Sequence, residues 1–318
     1  MAMGMYSIFH AIYVADILIN TMEKILNMKI TFLGTGSSRP TVERSVSCIA
    51  LTLAQEVLLF DCGEGSQRQM LRTIRQSRIK KIFITHFHGD HYLGIPGLLM
   101  TLALNRREAP LDIYGPPGSV RMLKHIFASG YMGLTYDIRI HEVEDEVVDF
   151  GDYSVIVFPV EHGIPAVGYC YCEHDRRGRF DIQKAEKLGI RGSLFKQLEK
   201  EGEVTLSSGK VCIEDVTGPA EKGKKIVYTG DTRPIDFPES LRAPDILIHE
   251  ATFIDDADRG DTFHSTVPDA CKAAKAIDAG MLILTHINIR YDPDKLQHLA
   301  SSLFAHAMVA YDYYEVVL

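Results

Sequence analysis

The run from Ile82 to His91 carries four side chains able to bind a metal ion: His86, His88, Asp90 and His91. A neutral imidazole nitrogen and a carboxylate oxygen suit zinc or a similar borderline cation. Spacing adds a constraint. His86 and His88 point the same way only if the chain is extended, because side chains alternate along a strand. Asp90 and His91 are neighbours and must diverge. One ion cannot easily gather all four groups, whereas two adjacent ions can, and paired ions are a device for hydrolysis.

Such ligands need elements to carry them. Short runs rich in Val, Ile and Phe, bounded by Gly, Pro or Asp, predict strands over residues 29–33, 48–53, 57–60, 81–84, 153–160, 225–228, 245–248 and 281–284. Helical patterns fall over 65–76, 94–104, 119–129, 268–279 and 293–307. Hairpins early and strand–helix alternation later predict an α/β chain with two sheets and outer helices. Five of these strands run into polar residues: Thr85-His86, Glu161-His162-Gly163, Thr229-Gly230-Asp231-Thr232, His249-Glu250 and Thr285-His286. If the strands share a direction, their C-terminal ends meet on one rim, where layered α/β folds place function. His10, His125, His141, His174, His298 and His306 lack this pattern and are assigned surface or helix roles.

With 318 residues, 46% of them hydrophobic, the chain can bury a substantial core. Its net charge of −8 lacks the basic footprint of a nucleic-acid protein, so any RNA contact needs a local basic patch. Six cysteines without a CxxC pair read as reduced thiols of a cytoplasmic protein. No apolar stretch has the length of a membrane span. Residues 1–27 lack a basic leader and a cleavage site, so they are not a secretory signal. They read either as an extension from a mis-assigned start or as an amphipathic helix packed on the domain. Met28-Lys29-Ile30-Thr31 opens a clean strand.

Thr85-His86-Phe87-His88-Gly89-Asp90-His91 resembles the signature of the metallo-β-lactamase fold, and His162, Asp231 and His286 follow in that family's order. Further segments resemble one branch of it, the short form of tRNase Z, a tRNA 3′ endonuclease. They are Gly34-Thr35-Gly36-Ser37-Ser38, Phe60-Asp61-Cys62-Gly63-Glu64-Gly65-Ser66-Gln67-Arg68-Gln69, Gly230-Asp231-Thr232-Arg233, His249-Glu250-Ala251-Thr252-Phe253, His264-Ser265-Thr266 and Leu284-Thr285-His286-Ile287. The resemblance implies an αββα sandwich of two mixed sheets with outer helices over residues 28–318, with a protruding flexible arm inserted at about 170–222. That arm usually carries Gly-Pro near its tip; here Ser193 stands where proline is expected.

The same resemblance implies the chemistry. One ion is held by His86, His88, His162 and Asp231, the other by Asp90, His91, His286 and the shared Asp231. The cofactor is then two Zn2+ per subunit, with Mn2+ or Co2+ able to enter a mixed oxygen and nitrogen site. A bridging hydroxide is the nucleophile, and the ions offset the charge that makes phosphodiesters resist attack. Asp90 either orients that nucleophile or is a plain ligand. Protonation of the leaving 3′ oxygen falls to His264, with Glu250 raising its pKa and fixing its tautomer. Gly34 and Gly36 make a turn that either approaches a phosphate or is only a turn. Asp61 and Glu64 either organise the metal loop or favour the start of the helix that follows.

The expected substrate is pre-tRNA, cut 3′ of the discriminator nucleotide to leave a tRNA 3′-hydroxyl and a trailer 5′-phosphate. Two basic stretches are candidate RNA contacts. Arg68, Arg72, Arg75, Arg78, Lys80 and Lys81 recur without an intervening acid, several at helical spacing. Arg176, Arg177, Arg179, Lys184, Lys187, Arg191, Lys196 and Lys200 fall in the arm, which the resemblance implies grips tRNA, often across a homodimer. Two alternatives use the same residues differently: a general metal-dependent phosphodiesterase, and a non-catalytic RNA-binding member of the fold.

Overall fold

The computed structural model describes residues 28–318, so the expectations for residues 1–27, His10 included, lie outside the described residues. In chain order the strands are β1 (Lys29–Gly34), β2 (Cys48–Thr52), β3 (Val57–Phe60), β4 (Ile79–Phe83), β5 (Leu111–Gly115), β6 (Ile138–Glu142), β7 (Glu146–Asp149) and β8 (Tyr153–Pro159). They continue as β9 (Val167–Glu173), β10 (Glu203–Leu206), β11 (Gly209–Cys212), β12 (Lys225–Tyr228), β13 (Ile246–Glu250), β14 (Met281–Thr285), β15 (Ala307–Val309) and β16 (Glu315–Val317). One seven-stranded sheet has the order β16-β1-β2-β3-β4-β5-β6, and a second has β15-β14-β13-β12-β9-β8-β7. The first is antiparallel from β16 to β3 and parallel from β3 to β6. In the second, β12, β13, β14 and β15 run parallel.

The central strands β2 and β3 are apolar at nearly every position because both faces are covered. Leu59, Ile82 and Ile113 pack with Ile95, Leu98, Leu99 and Leu102 of the helix Ile95–Leu104. The alternate residues face the other sheet: Phe60 stacks on Phe83 at 5.2 Å, and Tyr169 of β9 meets Phe83 edge-on at 5.3 Å. The Tyr169 hydroxyl donates to the Ile84 carbonyl at 2.7 Å, which satisfies a fully buried phenol. Helices Val267–Ala276 and Pro293–Leu303 pack on β14 and β15.

A helix over 65–76 is not what forms. The helix is Ser66–Met70, and a short 3-10 turn, Gln76–Arg78, leads into β4. Ile74 and Ile79 are both buried in the core under the sheet, and Arg75 between them is extended. Tertiary burial outweighs the local helical spacing here. The expected basic helix face therefore does not exist. Arg72 lies 4.9 Å over the Tyr313 ring, Arg78 donates to the Leu53 and Ala54 carbonyls, and Lys81 pairs with Glu56 at 2.7 Å. The last helix likewise stops at Leu303, short of residue 307, because Phe304 turns extended and Ala307–Val309 is strand.

The chain divides into two compact units. Among the described residues, the first holds 28–148, 155–171 and 225–318, and the second 149–154 and 172–224. The second unit has its own small core of Ala185, Ile190, Leu198, Val204, Val211, Ile213 and Val216. It comprises the helices Ile182–Lys187 and Ser193–Glu201 and the hairpin β10–β11. Ser193 is the first residue of its helix, a position that also tolerates proline, so the exchange leaves the helix start intact.

Candidate metal centre

Parallel register brings the polar strand ends together. In β12–β14, Tyr228 pairs with Ile248 and Ile248 with Ile283, so Asp231, Glu250 and His286 emerge from one edge. His86 follows β4 and His162 follows β8. Two triads of ligand atoms result. His88 Nδ1 lies 3.1 Å from His86 Nε2 and 3.0 Å from His162 Nε2. His286 Nε2 lies 3.4 Å from His91 Nε2 and 3.3 Å from Asp90 Oδ2. Asp231 Oδ2 sits between the triads, 3.7 Å from His86, 3.4 Å from His91 and 3.3 Å from His286.

These separations suit tetrahedral cations. Bonds of about 2.1 Å place ligand atoms about 3.4 Å apart around such an ion. Asp231 Oδ1 is buried without a hydrogen-bond partner, the mark of an acceptor meant for a cation. The donor set of imidazole and carboxylate fits zinc.

A network behind the triads fixes the tautomers of His86, His91, His162 and His286. His91 Nδ1–H donates to Asp61 Oδ2 at 2.8 Å, which frees Nε2 to face the cluster. The Thr85 hydroxyl donates to Asp61 at 3.0 Å and so accepts from His86 Nδ1–H, also at 3.0 Å. Thr252 repeats this logic: its hydroxyl donates to Glu250 Oε2 at 2.6 Å and accepts from His286 Nδ1–H at 2.8 Å. His162 Nδ1–H donates to the Phe263 carbonyl at 3.0 Å. Such partners orient metal-binding imidazoles and raise their basicity. Asp61 is thus no helix cap. It is fully buried and also accepts from Thr85 N at 2.8 Å and the Tyr228 hydroxyl at 2.7 Å.

The backbone is unusual at the same points. Ser38, Asp61 and His286 are non-glycine residues with φ of 60°, 58° and 57°. Gly230 beside Asp231 has φ of 61°, and a Cβ there would come within 2.7 Å of the Thr85 side chain. Ser38 N–H donates to Asp90 Oδ2 at 2.8 Å. Four further non-glycine residues, Arg106, Ala243, Asp278 and Tyr313, share this conformation elsewhere, so it is the hydrogen bonds at Ser38 and Asp61 that tie it to the centre.

Charge states follow from burial and neighbours. Burial pushes the pKa values of His86, His88 and His162 down, so they are neutral near pH 7, as ligands must be. Burial opposes ionisation of Asp231, but the His286 and His91 charges outweigh it and hold its carboxyl well below the usual range. Burial likewise opposes ionisation of Asp90, and the His286 hydrogen bond and the His91 charge again prevail. His91 is the exception. Burial lowers its pKa, yet Asp231 and Asp61 raise it well above normal, so a cation bound there would have to displace a proton.

His264 stands beside the cluster, its Nδ1 2.9 Å from Glu250 Oε1 and 3.8 Å from Asp231 Oδ2. Burial lowers its pKa, but the Glu250 hydrogen bond and charge, with the Asp231 charge, raise it to about 9. Glu250 is fully buried and also accepts from the Thr232 and Thr252 amides at 2.9 and 3.1 Å.

The structure therefore gathers His86, His88, Asp90, His91, His162, Asp231, His286, Glu250 and His264 in the first unit. Arg176, Arg177, Arg179, Lys184, Lys187 and Arg191 are exposed residues of the second unit. Arg68 and Arg72 are exposed in the first. Thr85, Thr252 and the Phe263 carbonyl are hydrogen-bond partners of the candidate ligands that the sequence does not single out. Their one local signal is position: Thr85 precedes a ligand, Thr252 lies two residues beyond Glu250, and Phe263 precedes His264.

Comparison with known proteins agrees with this geometry. Residues 28–150 match the family described as "Anti-Pycsar protein Apyc1", and residues 207–287 match "Beta-lactamase superfamily domain". Ribonuclease Z of Pyrococcus horikoshii is 41% identical over 295 residues, covering 92% of this chain and 96% of that protein. Ribonuclease Z of Thermococcus kodakarensis is 44% identical over 294 residues, covering 90% and 93%. The crystal structure of the short form of human tRNase Z superposes with a TM-score of 0.66 at 27% identity, covering 91% of this chain and 98% of that one. Extended identity to such relatives places the chain in the ribonuclease Z family, a branch of the metallo-β-lactamase fold.

Proposed function

We propose that the chain is a metal-dependent endoribonuclease that hydrolyses pre-tRNA 3′ of the discriminator nucleotide, leaving a tRNA 3′-hydroxyl and a trailer 5′-phosphate. The observation that carries this reading is the pair of ligand triads sharing Asp231, with the His264–Glu250 pair at 2.9 Å beside them. His86, His88, His162 and Asp231 would hold one Zn2+, and Asp90, His91, His286 and Asp231 the other. When bound, two such ions activate water near neutral pH and offset charge on the phosphodiester.

The chain's own residues do the rest. Asp61, Thr85, Thr252 and the Phe263 carbonyl hold His91, His86, His286 and His162 in one tautomer. Asp90 Oδ2 accepts from Ser38 N–H, which would hold the carboxylate toward the His91–His286 side of the centre. Glu250 holds His264 through Nδ1, leaving Nε2–H to protonate the departing 3′ oxygen. The buried Glu250 charge stabilises that imidazolium until the proton moves.

Substrate grip is assigned to Arg176, Arg177, Arg179, Lys184, Lys187 and Arg191 of the second unit, with Arg68 and Arg72 as further contacts. The working form is a homodimer in the cytoplasm. Among the described residues no helix is long and apolar enough to cross a membrane. The test is to incubate zinc-loaded protein with a 3′-extended tRNA and map the cut. Cleavage directly after the discriminator supports the reading; cleavage of small phosphodiesters alone overturns it.

A further inference from the structure

Phe263 is a large apolar side chain at the rim of the centre that remains 44% exposed. It is not loose. Its carbonyl accepts from His162 Nδ1–H at 3.0 Å, and the preceding carbonyl, of Thr262, accepts from Arg233 Nε–H at 2.7 Å. The Arg233 guanidinium lies 5.3 Å from the centre of the Phe263 ring. The ring also rests against Gly163, where an added Cβ would come within 3.2 Å of Cδ2. The next residue in the chain is His264. A fixed, partly bare aromatic ring, backed by a cation and adjoining the group that protonates the leaving oxygen, has the attributes of a stacking platform for a nucleobase.

We infer that Phe263 stacks the base of the nucleotide on the 5′ side of the scissile phosphate. The direction follows from the chemistry. His264 donates its proton to the 3′ oxygen of that nucleotide, so the nucleoside carrying this oxygen lies on the His264 side of the centre. Phe263 precedes His264 in the chain and is 44% exposed, whereas Phe253, whose ring lies 6.1 Å from His264, is buried. Arg233, 5.3 Å from the Phe263 ring, supplies positive charge for the adjoining backbone. The inference rests on the proposed substrate and adds a residue that reads the base next to the cut. Stacking is tolerant of base identity, so Phe263 would favour the presence of a base and not a particular one.

The test compares 3′-extended tRNA bearing its ordinary base with RNA that is abasic at that one nucleotide. The wild type should prefer the base-bearing RNA in kcat/KM by about 5- to 150-fold, the range of one base–aromatic stack. In Phe263→Ala the ratio should fall to near one, and in Phe263→Trp it should persist. Because each variant is compared with itself, a general loss of activity does not imitate the result. 2-Aminopurine at the same nucleotide, in RNA with a non-hydrolysable linkage, reads the stack directly. Its fluorescence should be quenched by the wild type and not by Phe263→Ala. An unchanged ratio in Phe263→Ala, or a ratio governed by the base 3′ of the phosphate, overturns the platform with the cut intact. A wild type that does not cut after that nucleotide overturns the substrate reading itself.

Discussion

Asp61→Asn separates orientation of a ligand from ligation. Asp61 Oδ1 accepts from the Thr85 amide, a donor that cannot reverse its role. The asparagine oxygen must stay there, which puts the new NH2 group where Oδ2 now meets His91 Nδ1 at 2.8 Å and the Tyr228 hydroxyl at 2.7 Å. The hydroxyl can turn and accept. His91 Nδ1 can accept only if its proton moves to Nε2, the atom that faces Asp90, His286 and Asp231. The variant thus keeps size and burial but blocks the lone pair a cation needs. Loss of such a partner lowers metal affinity by about 10- to 100-fold. At about 1.4 kcal/mol per tenfold, that is roughly 1.4 to 2.8 kcal/mol. Chelator competition followed by metal analysis would measure it, with the effect confined to one of the two ions. Thermal unfolding of metal-free protein is the control. Unaltered affinity for both ions in a folded Asp61→Asn protein would refute the tautomer argument.

Other perturbations address the acid, the backbone and the RNA contacts. His264→Ala should lower turnover by about 10²-fold or more, and metal analysis should find both ions retained. Glu250→Gln removes the charge that raises the His264 pKa. An acid works only while protonated, so the high-pH limb of kcat should move to lower pH; an unmoved limb assigns that limb to another group. Gly230→Ala places a methyl against Thr85 at φ 61°. It should destabilise the fold by about 1–2 kcal/mol from the backbone alone, read as a lower unfolding midpoint. Charge reversal of Arg176, Arg177 and Arg179 should weaken pre-tRNA binding and flatten its salt dependence by about 0.9 in log–log slope per lost phosphate contact. Equal losses on RNA and on a small phosphodiester would argue against a separate grip.

The centre is more legible in the sequence than the elements that carry it. Ligand types at fixed offsets survive any uncertainty in strand ends, and β12 to β14 announce themselves as apolar runs because both faces are covered. Strands such as β6 and β7 carry charged, exposed residues, and β15 and β16 have three residues each, so neither pattern nor length reveals them. The basic run after Gly65 misleads because spacing on paper cannot see that Ile74 and Ile79 are both claimed by the core. The hydroxyls of Thr85 and Thr252 are invisible for another reason. Each works between an acid and an imidazole brought close only by tertiary register, as Thr252 and His286 are from 34 residues apart.

The left-handed backbone at Ser38, Asp61 and His286 bears on how the centre meets its ions. Each such residue costs about 1–2 kcal/mol, roughly 3–6 kcal/mol together, borne by the folding of the sheets around them. Cations would therefore enter a cage whose walls are already set. Little chain entropy remains to be lost on binding, unlike small domains in which binding the metal is the folding event. Metal-stripped protein should keep its tertiary signals and recover activity at the pace of ion diffusion and proton release, without a refolding phase.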